Sequence, residues 1–421
     1  MGYPNVSSQH VVVIGGGVIG SACAHYLAAD GHRVTIIDRK AFGSGASHAN
    51  CGYVALGHVL PLTEPGAVLK TLKAMGRRSS PFYVKPRFDP ALWTWLLRFA
   101  ARCNEKDMMA SAKVRAALLH STGELYDELM QTLGEACEFE RVGNLFVFHD
   151  REAWEAYAKT NKILAEHFDE PAEPLEGDAV SAFEPALRDG LGGGWYYETD
   201  SQLRPSKLLA AWRADLEQRG ATIRENCGVD SVVRRGDRAV SVKTVEGEIE
   251  ADAFVVAAGA ESPHFQKQLD CRIPIQPGKG YSITMPRPTV CPKTSMIFQQ
   301  HKVAVSPFKS GYRLGSTMEF SGYDESISDK RLALLTDGAR RYMREPVTEP
   351  IEEKWAGWRP MTYDDLPIID RSPAMENVYI AAGHGMLGLT LGPVTGKLIA
   401  ELIGERTPHL DIAPLSVKRF G

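Results

Sequence analysis

Apolar and polar residues alternate along the chain in two rhythms, one of period two and one of period 3.6. Short β-branched runs bounded by Gly, Asn and Asp predict strands at His10–Ile14, at RVTIID closing on Asp38, and at ATIREN, VDSVVRR and AVSVKTV between residues 221 and 245. FVVAAGA is apolar throughout, the pattern of a strand buried on both faces, and it ends on Ala257, Ala258 and Gly259, where backbone can pass close to a ligand. GYSITM, VAVSPF, YRLGSTM and VYIAA read as further strands. The helical period appears at Ile19, Ala22, Cys23, Tyr26 and Leu27, a helix that Gly31 ends, in amphipathic runs at Val114–Leu129 and Glu152–Phe168, and in a helix starting near Gly392. Arg39 to Pro65, rich in Gly, Ser, His and Asn, follow neither period.

Between the first strand and the first helix stands GGGVIG, with Gly15, Gly17 and Gly20 in a G-x-G-x-x-G pattern. Gly15 permits the tight turn, Gly17 lets backbone approach a pyrophosphate, and Gly20 lets the helix pack on the strand. The helix N-terminus, opening with Val18 and Ile19, would turn unpaired N–H groups and a positive dipole end toward phosphate. Asp38, at the end of the second strand, would accept hydrogen bonds from a ribose. A tight strand–helix turn without a ligand is the alternative. The irregular segment after Asp38 interrupts the nucleotide domain, and a discontinuous domain of this kind suits FAD rather than NAD. No second G-x-G-x-x-G occurs, so a separate NAD site is not expected.

Composition narrows the classes without choosing among them. With 421 residues, 44% hydrophobic and 24% charged, two globular domains are expected, and a net charge of -4 disfavours nucleic acid as a partner. Seven scattered cysteines without a CxxC pair fit a reducing, cytoplasmic compartment, and no metal site is expected. The N-terminal residues carry no secretory or myristoylation signal, and no apolar run approaches the roughly 20 residues that span a bilayer.

VVVIGGGVIG with Asp38, SGASHANCGYVALGHVLPLTEPGA, PGKGYSITM, FVVAAGA, GWRPMTYDDLPIID and NVYIAAGHGMLGLTLGPVTGKLIAELI together resemble the D-amino-acid oxidase superfamily of flavoenzymes, most closely its bacterial D-amino-acid dehydrogenase branch. The match covers nearly the whole chain. Asp38 departs from it, because similar enzymes more often carry Glu there. The resemblance implies an α/β fold: a glutathione-reductase-type FAD-binding Rossmann domain, residues 1–57, 200–268 and 353–421, interrupted by an α+β substrate domain with an antiparallel sheet, residues 58–199 and 269–352. It implies FAD contacts at Gly15, Gly17, Val18, Ile19, Gly20, Asp38 and Arg39, at Ser47, His48, Asn50, Cys51 and Gly52, and at Val229, Ala258 and Gly259. A last set follows from the AAGHGMLGLTLGP loop: Gly383, His384, Gly385, Met386, Leu387, Gly388, Leu389 and Thr390.

The G-x-R-P arginine of similar enzymes pairs with the substrate carboxylate, and Arg359 holds that position. A planar, always-charged fork suits the task, since bidentate pairing fixes position and orientation together. The competing reading pairs Arg359 with Asp364 or Asp365. Tyr281 is expected as a second carboxylate contact, against the alternative of an aromatic core residue. His384 is expected beside the flavin in a structural role rather than as a base, because a substrate with a deprotonated amine can lose its α-hydrogen as hydride and leave an imine. His48 does not fit the covalent-flavin pattern of some relatives, and Cys51 reads as a small buried residue.

The implied activity is FAD-dependent oxidative deamination of a D-amino acid to a 2-oxo acid and ammonia. The alternative keeps the flavin and takes a secondary amino acid: D-proline, cis-4-hydroxy-D-proline, sarcosine or glycine. A quinone acceptor is implied by the resemblance. Between Gly66 and Cys103, Lys70, Lys73, Arg77, Arg78, Lys85, Arg87, Arg98 and Arg102 face a single acid, Asp89, among Leu69, Leu72, Met75, Phe82, Tyr83, Trp93, Trp95, Leu96, Leu97 and Phe99. That mixture suits the anionic inner face of the cell membrane. It equally suits a packed helix with a solvated basic face.

Overall fold

In the computed structural model, which describes residues 8–69 and 80–421, the run HVVVI forms a central strand of a six-stranded sheet. The order is Ile368–Arg371, Val378–Ala382, Ala253–Val256, His10–Ile14, Arg33–Ile37, Thr222–Arg224. All neighbours pair in parallel except the first two. Val11 and Val13 pack with residues of the helices Val18–Ala29 and Gly388–Ile403, while Val12 and Ile14 pack with a three-stranded antiparallel sheet, Val229–Arg235, Arg238–Thr244 and Gly247–Glu250. This double covering explains why the strand is apolar at every position rather than at alternate ones.

Small residues let the two helices approach: a Cβ on Gly396 would lie 2.5 Å from the Ala22 carbonyl oxygen. Pro393 cannot donate to the Leu389 carbonyl four residues earlier, and Tyr126 Oη donates to it instead at 2.7 Å. The long helix Glu105–Leu133, which contains the predicted run Val114–Leu129, is thereby fastened to the nucleotide side of the molecule. The helix expected near Gly392 begins at Gly388.

The second sheet runs Glu353–Met361, Gln276–Met285, Tyr312–Phe320, Val303–Ser306, Ser295–Phe298, Asn144–Phe148, Gly193–Tyr197, Glu173–Glu176, with Phe82–Val84 alongside Tyr312–Phe320. It is antiparallel except at Ser295–Phe298 with Asn144–Phe148 and at Phe82–Val84. Residues 353–361, expected from the sequence to open the last segment of the first domain, pair along the whole of Gln276–Thr284 in this second sheet. Arg359 is therefore presented by the second sheet.

Asp200 joins the two parts, its Oδ1 accepting from Gly57 N–H at 2.9 Å and its carbonyl from Gly143 N–H. Burial pushes its carboxyl up to about 7, helped by Glu170 nearby. The unfolded chain releases this proton near pH 4, so the contribution to stability is complete below that pH and is lost as pH rises through about 7. Thermal unfolding followed from pH 5 to 8 should show the parent losing stability, and Asp200→Asn should flatten that slope.

Candidate active site

The Gly15–Gly17 turn, the 258–259 corner and the Gly383–Leu387 loop all follow parallel strands, which places them along the carboxyl edge of the first sheet, where ligands of such folds bind. Gly15 has φ +113° and any Cβ there would collide with the Ala257 carbonyl; a Cβ on Gly20 would collide with the Gly15 carbonyl. Beside Gly17, which precedes the first helix in extended conformation, only Ser47 Oγ would come within 4 Å of an added Cβ. That open flank at a helix N-terminus fits a pyrophosphate. Ser47 Oγ accepts from Val18 N–H at 2.9 Å, marking the donor that a phosphate oxygen would compete for. Ile19 follows on the same turn.

Asp38 accepts from Gly16 N–H at 2.7 Å and from Lys40 N–H at 2.8 Å. Burial raises its carboxyl above the usual range, against the pull of these donors. Arg39 pairs with Glu261, three residues beyond Ala258, and Cys227 N–H binds the Asp38 carbonyl at 2.8 Å, bringing Val229 to the same end. These residues gather at the carboxyl edge of the first sheet, so the chain's own geometry fits FAD.

From that edge the segment Ser47–Gly52 crosses the face of the second sheet. Ser282 Oγ donates to the Ala49 carbonyl at 2.8 Å, Arg313 Nη1 to Asn50 at 2.8 Å and Ser306 Oγ to Cys51 at 2.6 Å. Gly52, at φ +72°, has no room for a Cβ because the Leu203 carbonyl lies there. His48 Nε2 meets Glu353 Oε1 at 2.7 Å. Glu353 also accepts from Thr284 and Arg313, so His48 is clasped by a polar cluster on the sheet. Cys51 is enclosed, and its thiol is raised by burial while Arg359 and Arg313 pull the other way.

Among the described residues no carboxylate pairs with Arg359. The two acids nearest in sequence are taken: Asp364 by Arg419 at 2.8 Å and Asp365 by Arg115 at 2.5 Å. Arg359 Nη1 donates to the Thr317 carbonyl at 2.9 Å, and Met318 Sδ lies 4.0 Å away. Enclosure by protein lowers its pKa from the ordinary guanidinium value. Cross-strand pairing sets Arg359 opposite Gly278, and the guanidinium lies over Gly280, where an added Cβ would collide with it. Ser316 and Thr317, at φ +116° and +59°, turn the neighbouring strand into a conformation costly for β-branched Thr. The carbonyl that meets Arg359 belongs to this strained pair.

Tyr281 is corrected by the structure. Alternation along Gln276–Met285 puts Gly278, Gly280 and Ser282 on the Arg359 face and Tyr281 on the other. There it is buried in the core against the helix Asp329–Ala339, and its hydroxyl donates to Glu319 at 2.9 Å. The reading of a second carboxylate contact gives way to that of a core aromatic.

His384 is buried with Nε2 at 2.9 Å from Thr395 Oγ1, and burial pushes it down to about 3. Burial thus favours the neutral imidazole. Gly383 and Gly385, at φ +76° and +55°, shape that loop, and Gly385 N–H binds the Pro360 carbonyl at 3.0 Å, one residue from Arg359. Met386 is exposed and Leu387 buried just before Gly388 starts the helix. Leu389 O is bound by Tyr126, and Thr390 Oγ1 accepts from Ala55 N–H at 3.1 Å. Reading by motif missed Arg115, Ser282, Arg313 and Glu353. Arg115 carried one signal, a cation on the apolar face of an amphipathic run.

The chain belongs to the DAO family of FAD dependent oxidoreductases, whose sequence model matches residues 10–402. FAD is accordingly its cofactor. It is 33% identical to a D-amino acid dehydrogenase of Paramagnetospirillum magneticum, over 97% of this chain and 98% of that one, and 32% identical to one of Xanthobacter autotrophicus, over 98% and 99%. Among solved structures it is similar to glycine oxidase from Geobacillus kaustophilus, with TM-score 0.79, 22% identity and coverage of 98% and 99%. L-proline dehydrogenase from P. horikoshii gives TM-score 0.72, 21% identity and 98% coverage of each chain. Both share the fold.

The collision at Gly280 generates a prediction. Gly280→Ala should displace the Arg359 guanidinium and raise KM for a carboxylate substrate by roughly tenfold or more, the size of a loss of about 1.4 kcal/mol. The FAD content of the purified variant should match that of the parent.

Proposed function

We propose that the chain catalyses FAD-dependent oxidative deamination of D-amino acids. One observation carries this reading: a half-buried Arg359 with no acid partner among the described residues stands on the sheet face beside the dinucleotide edge. An amino-acid carboxylate completes that ion pair. The names of the full-length relatives favour D-amino acids. The flavin, when bound, supplies the two-electron acceptor for the α-hydrogen as hydride.

The residues of this chain orient and enclose. Arg359 holds the carboxylate, Thr317 and Gly280 hold Arg359, and the Gly383–Leu387 loop closes on Pro360 beside it. Neutral His384 keeps that loop in shape without exchanging a proton with the substrate. The imine left by hydride loss adds water and yields the 2-oxo acid and ammonia. A secondary amino acid fits the same chemistry, and the shared fold of glycine oxidase and L-proline dehydrogenase keeps this second reading in view. Anaerobic bleaching of the oxidised flavin by a panel of D-, L- and secondary amino acids tests both; a panel that leaves the spectrum unchanged would overturn them.

Removing one partner of a desolvated charge pair costs on the order of 2–5 kcal/mol, so Arg359→Ala should raise KM by well over tenfold. Arg359→Lys should recover part of the loss, because Lys keeps the charge without the fork. Turnover by the Ala variant at the parent KM would remove Arg359 from the carboxylate site.

Electron transfer to a quinone at a membrane surface is supported by the helix Pro90–Arg102. Phe88 is 97% exposed, Leu97 72% and Trp93 51%, while Trp95 turns inward and binds the Met361 carbonyl at 3.1 Å. The basic contribution is smaller than the sequence suggested. Lys85 pairs with Asp324, Arg87 with Asp89 and Arg102 with Asp107, and Arg98 lies over the Tyr363 ring. Lys70, Leu72, Lys73, Met75, Arg77 and Arg78 lie outside the described residues. No helix among the described residues is long and apolar enough to cross a membrane. Sedimentation with anionic vesicles should be lost when Phe88, Trp93 and Leu97 are changed together to Ser. Reoxidation by a soluble quinone should outpace reoxidation by dioxygen.

A further inference from the structure

A buried ion pair outside the dinucleotide edge ties together the segments that frame the Arg359 face. Arg115 lies within the long helix Glu105–Leu133, and Asp365 lies in the turn that follows the Arg359 strand; both side chains are 6% exposed. Arg115 Nη1 donates to Asp365 Oδ2 at 2.5 Å and to the Asp365 carbonyl at 3.3 Å, while Nη2 donates to the His58 carbonyl at 2.7 Å. Asp365 Oδ2 also accepts from Leu62 N–H at 2.9 Å. On its other side, Oδ1 lies only 3.2 Å from where a Cβ on Gly385 would stand, so the carboxylate packs against the Gly383–Leu387 loop at Gly385. One carboxylate and one guanidinium thus meet the helix, the 58–62 loop, the 362–366 turn and the GHGML loop.

Two features say that this pair is retained for more than filling space. Asp365 sits at φ +57°, a conformation that glycine adopts without strain, so the carboxylate is kept at a position whose backbone favours its absence. A buried pair is also seldom a net gain over apolar packing, although breaking one by removing a single partner is strongly unfavourable. What the pair does supply is directional: hydrogen bonds that join the helix, the 58–62 loop and the turn after the Arg359 strand, with Asp365 Oδ1 packed against Gly385 of the GHGML loop.

We propose that Arg115 and Asp365 are positioning residues for the oxidation, acting through the GHGML loop and the end of the Arg359 strand to set the distance between substrate and flavin. This rests on the Arg359 face being the substrate site. Losing either partner then loosens the loop, lowering the rate of the oxidation step more than it weakens substrate binding through the intact Arg359.

The test uses the FAD-loaded full chain with Asp365→Gly, Asp365→Asn, Arg115→Met and the double variant Arg115→Met/Asp365→Gly. Asp365→Gly suits the backbone, which guards against a variant that simply fails to fold. In anaerobic stopped flow with the best substrate of the panel, each single variant should lower the limiting rate of flavin bleaching at least tenfold, with the apparent substrate affinity changed less than threefold. The double variant, with neither charge left buried, should recover part of that loss. Visible circular dichroism of the bound flavin should shift in the single variants and return toward the parent in the double one. Parent-like bleaching rates and parent-like dichroism in all the single variants would overturn the proposal and leave the pair a matter of stability alone. So would a loss of affinity at an unchanged limiting rate. Should no substrate bleach the parent, the proposed activity fails, and the flavin dichroism alone decides whether the pair positions the loop.

Discussion

A guanidinium taken partly out of water needs an anion, and the acids closest to Arg359 in the chain are committed elsewhere. Asp364 is held by Arg419 from the C-terminal turn and Asp365 by Arg115 from the long helix. The strand partner offers glycine twice, at 278 and 280, so the arginine can lie flat on the sheet instead of projecting away from it. The neighbouring strand offers a backbone carbonyl, from Thr317, at the expense of a strained conformation. Each arrangement satisfies part of the guanidinium while leaving its charge uncompensated.

That site exists only because two sheets of different construction are brought face to face. The parallel sheet contributes its carboxyl edge, where glycine turns expose backbone N–H groups to a dinucleotide, and the larger, mainly antiparallel sheet contributes a face of Gly and Ser that carries Arg359 and Arg313. Ser47–Gly52 is the seam. Its carbonyls are bound one after another by Ser282, Arg313 and Ser306 of the second sheet, while Ser47 stays on the helix N-terminus of the first. A segment without helical or strand period is what such a seam requires, since its hydrogen bonds go to side chains of another domain rather than to a ladder of its own.

The parts legible in the chain were those set by local rules. Continuous apolar runs marked strands covered on both faces, and the spacing of Gly15, Gly17 and Gly20 between a strand and a helix marked a turn with no room for side chains. The loop glycines 383 and 385 were legible for the same reason, since positive φ selects glycine wherever it occurs in the chain. The motif around Arg359 identified the residue, and local sequence offered Asp364 and Asp365 as partners equally well. Only the fold, by delivering Arg115 and Arg419 from 250 and 55 residues away, removed them.

Tyr281 shows the limit in the other direction. A strand residue next to Gly280 changes nothing in the pattern of GKGYS, yet register decides which face it takes, and pairing with Glu353–Met361 turned it into the core. The sheet that takes up residues 353–361 was hidden for a related reason: a strand joins whichever sheet hydrogen-bonds it, and that partner lies some 75 residues earlier in the chain. Charge followed the same logic. The basic run near residues 85–102 read as an excess because its neutralising acids, Asp107 and Asp324, stand outside the window. What sequence alone determined was therefore the glycine turn between the first strand and helix and those strands and helices with a clear period, all consequences of backbone geometry and periodicity within a few residues. Which charges remain unpaired and which side chains share a face belonged to the tertiary structure, because long-range pairing decides both.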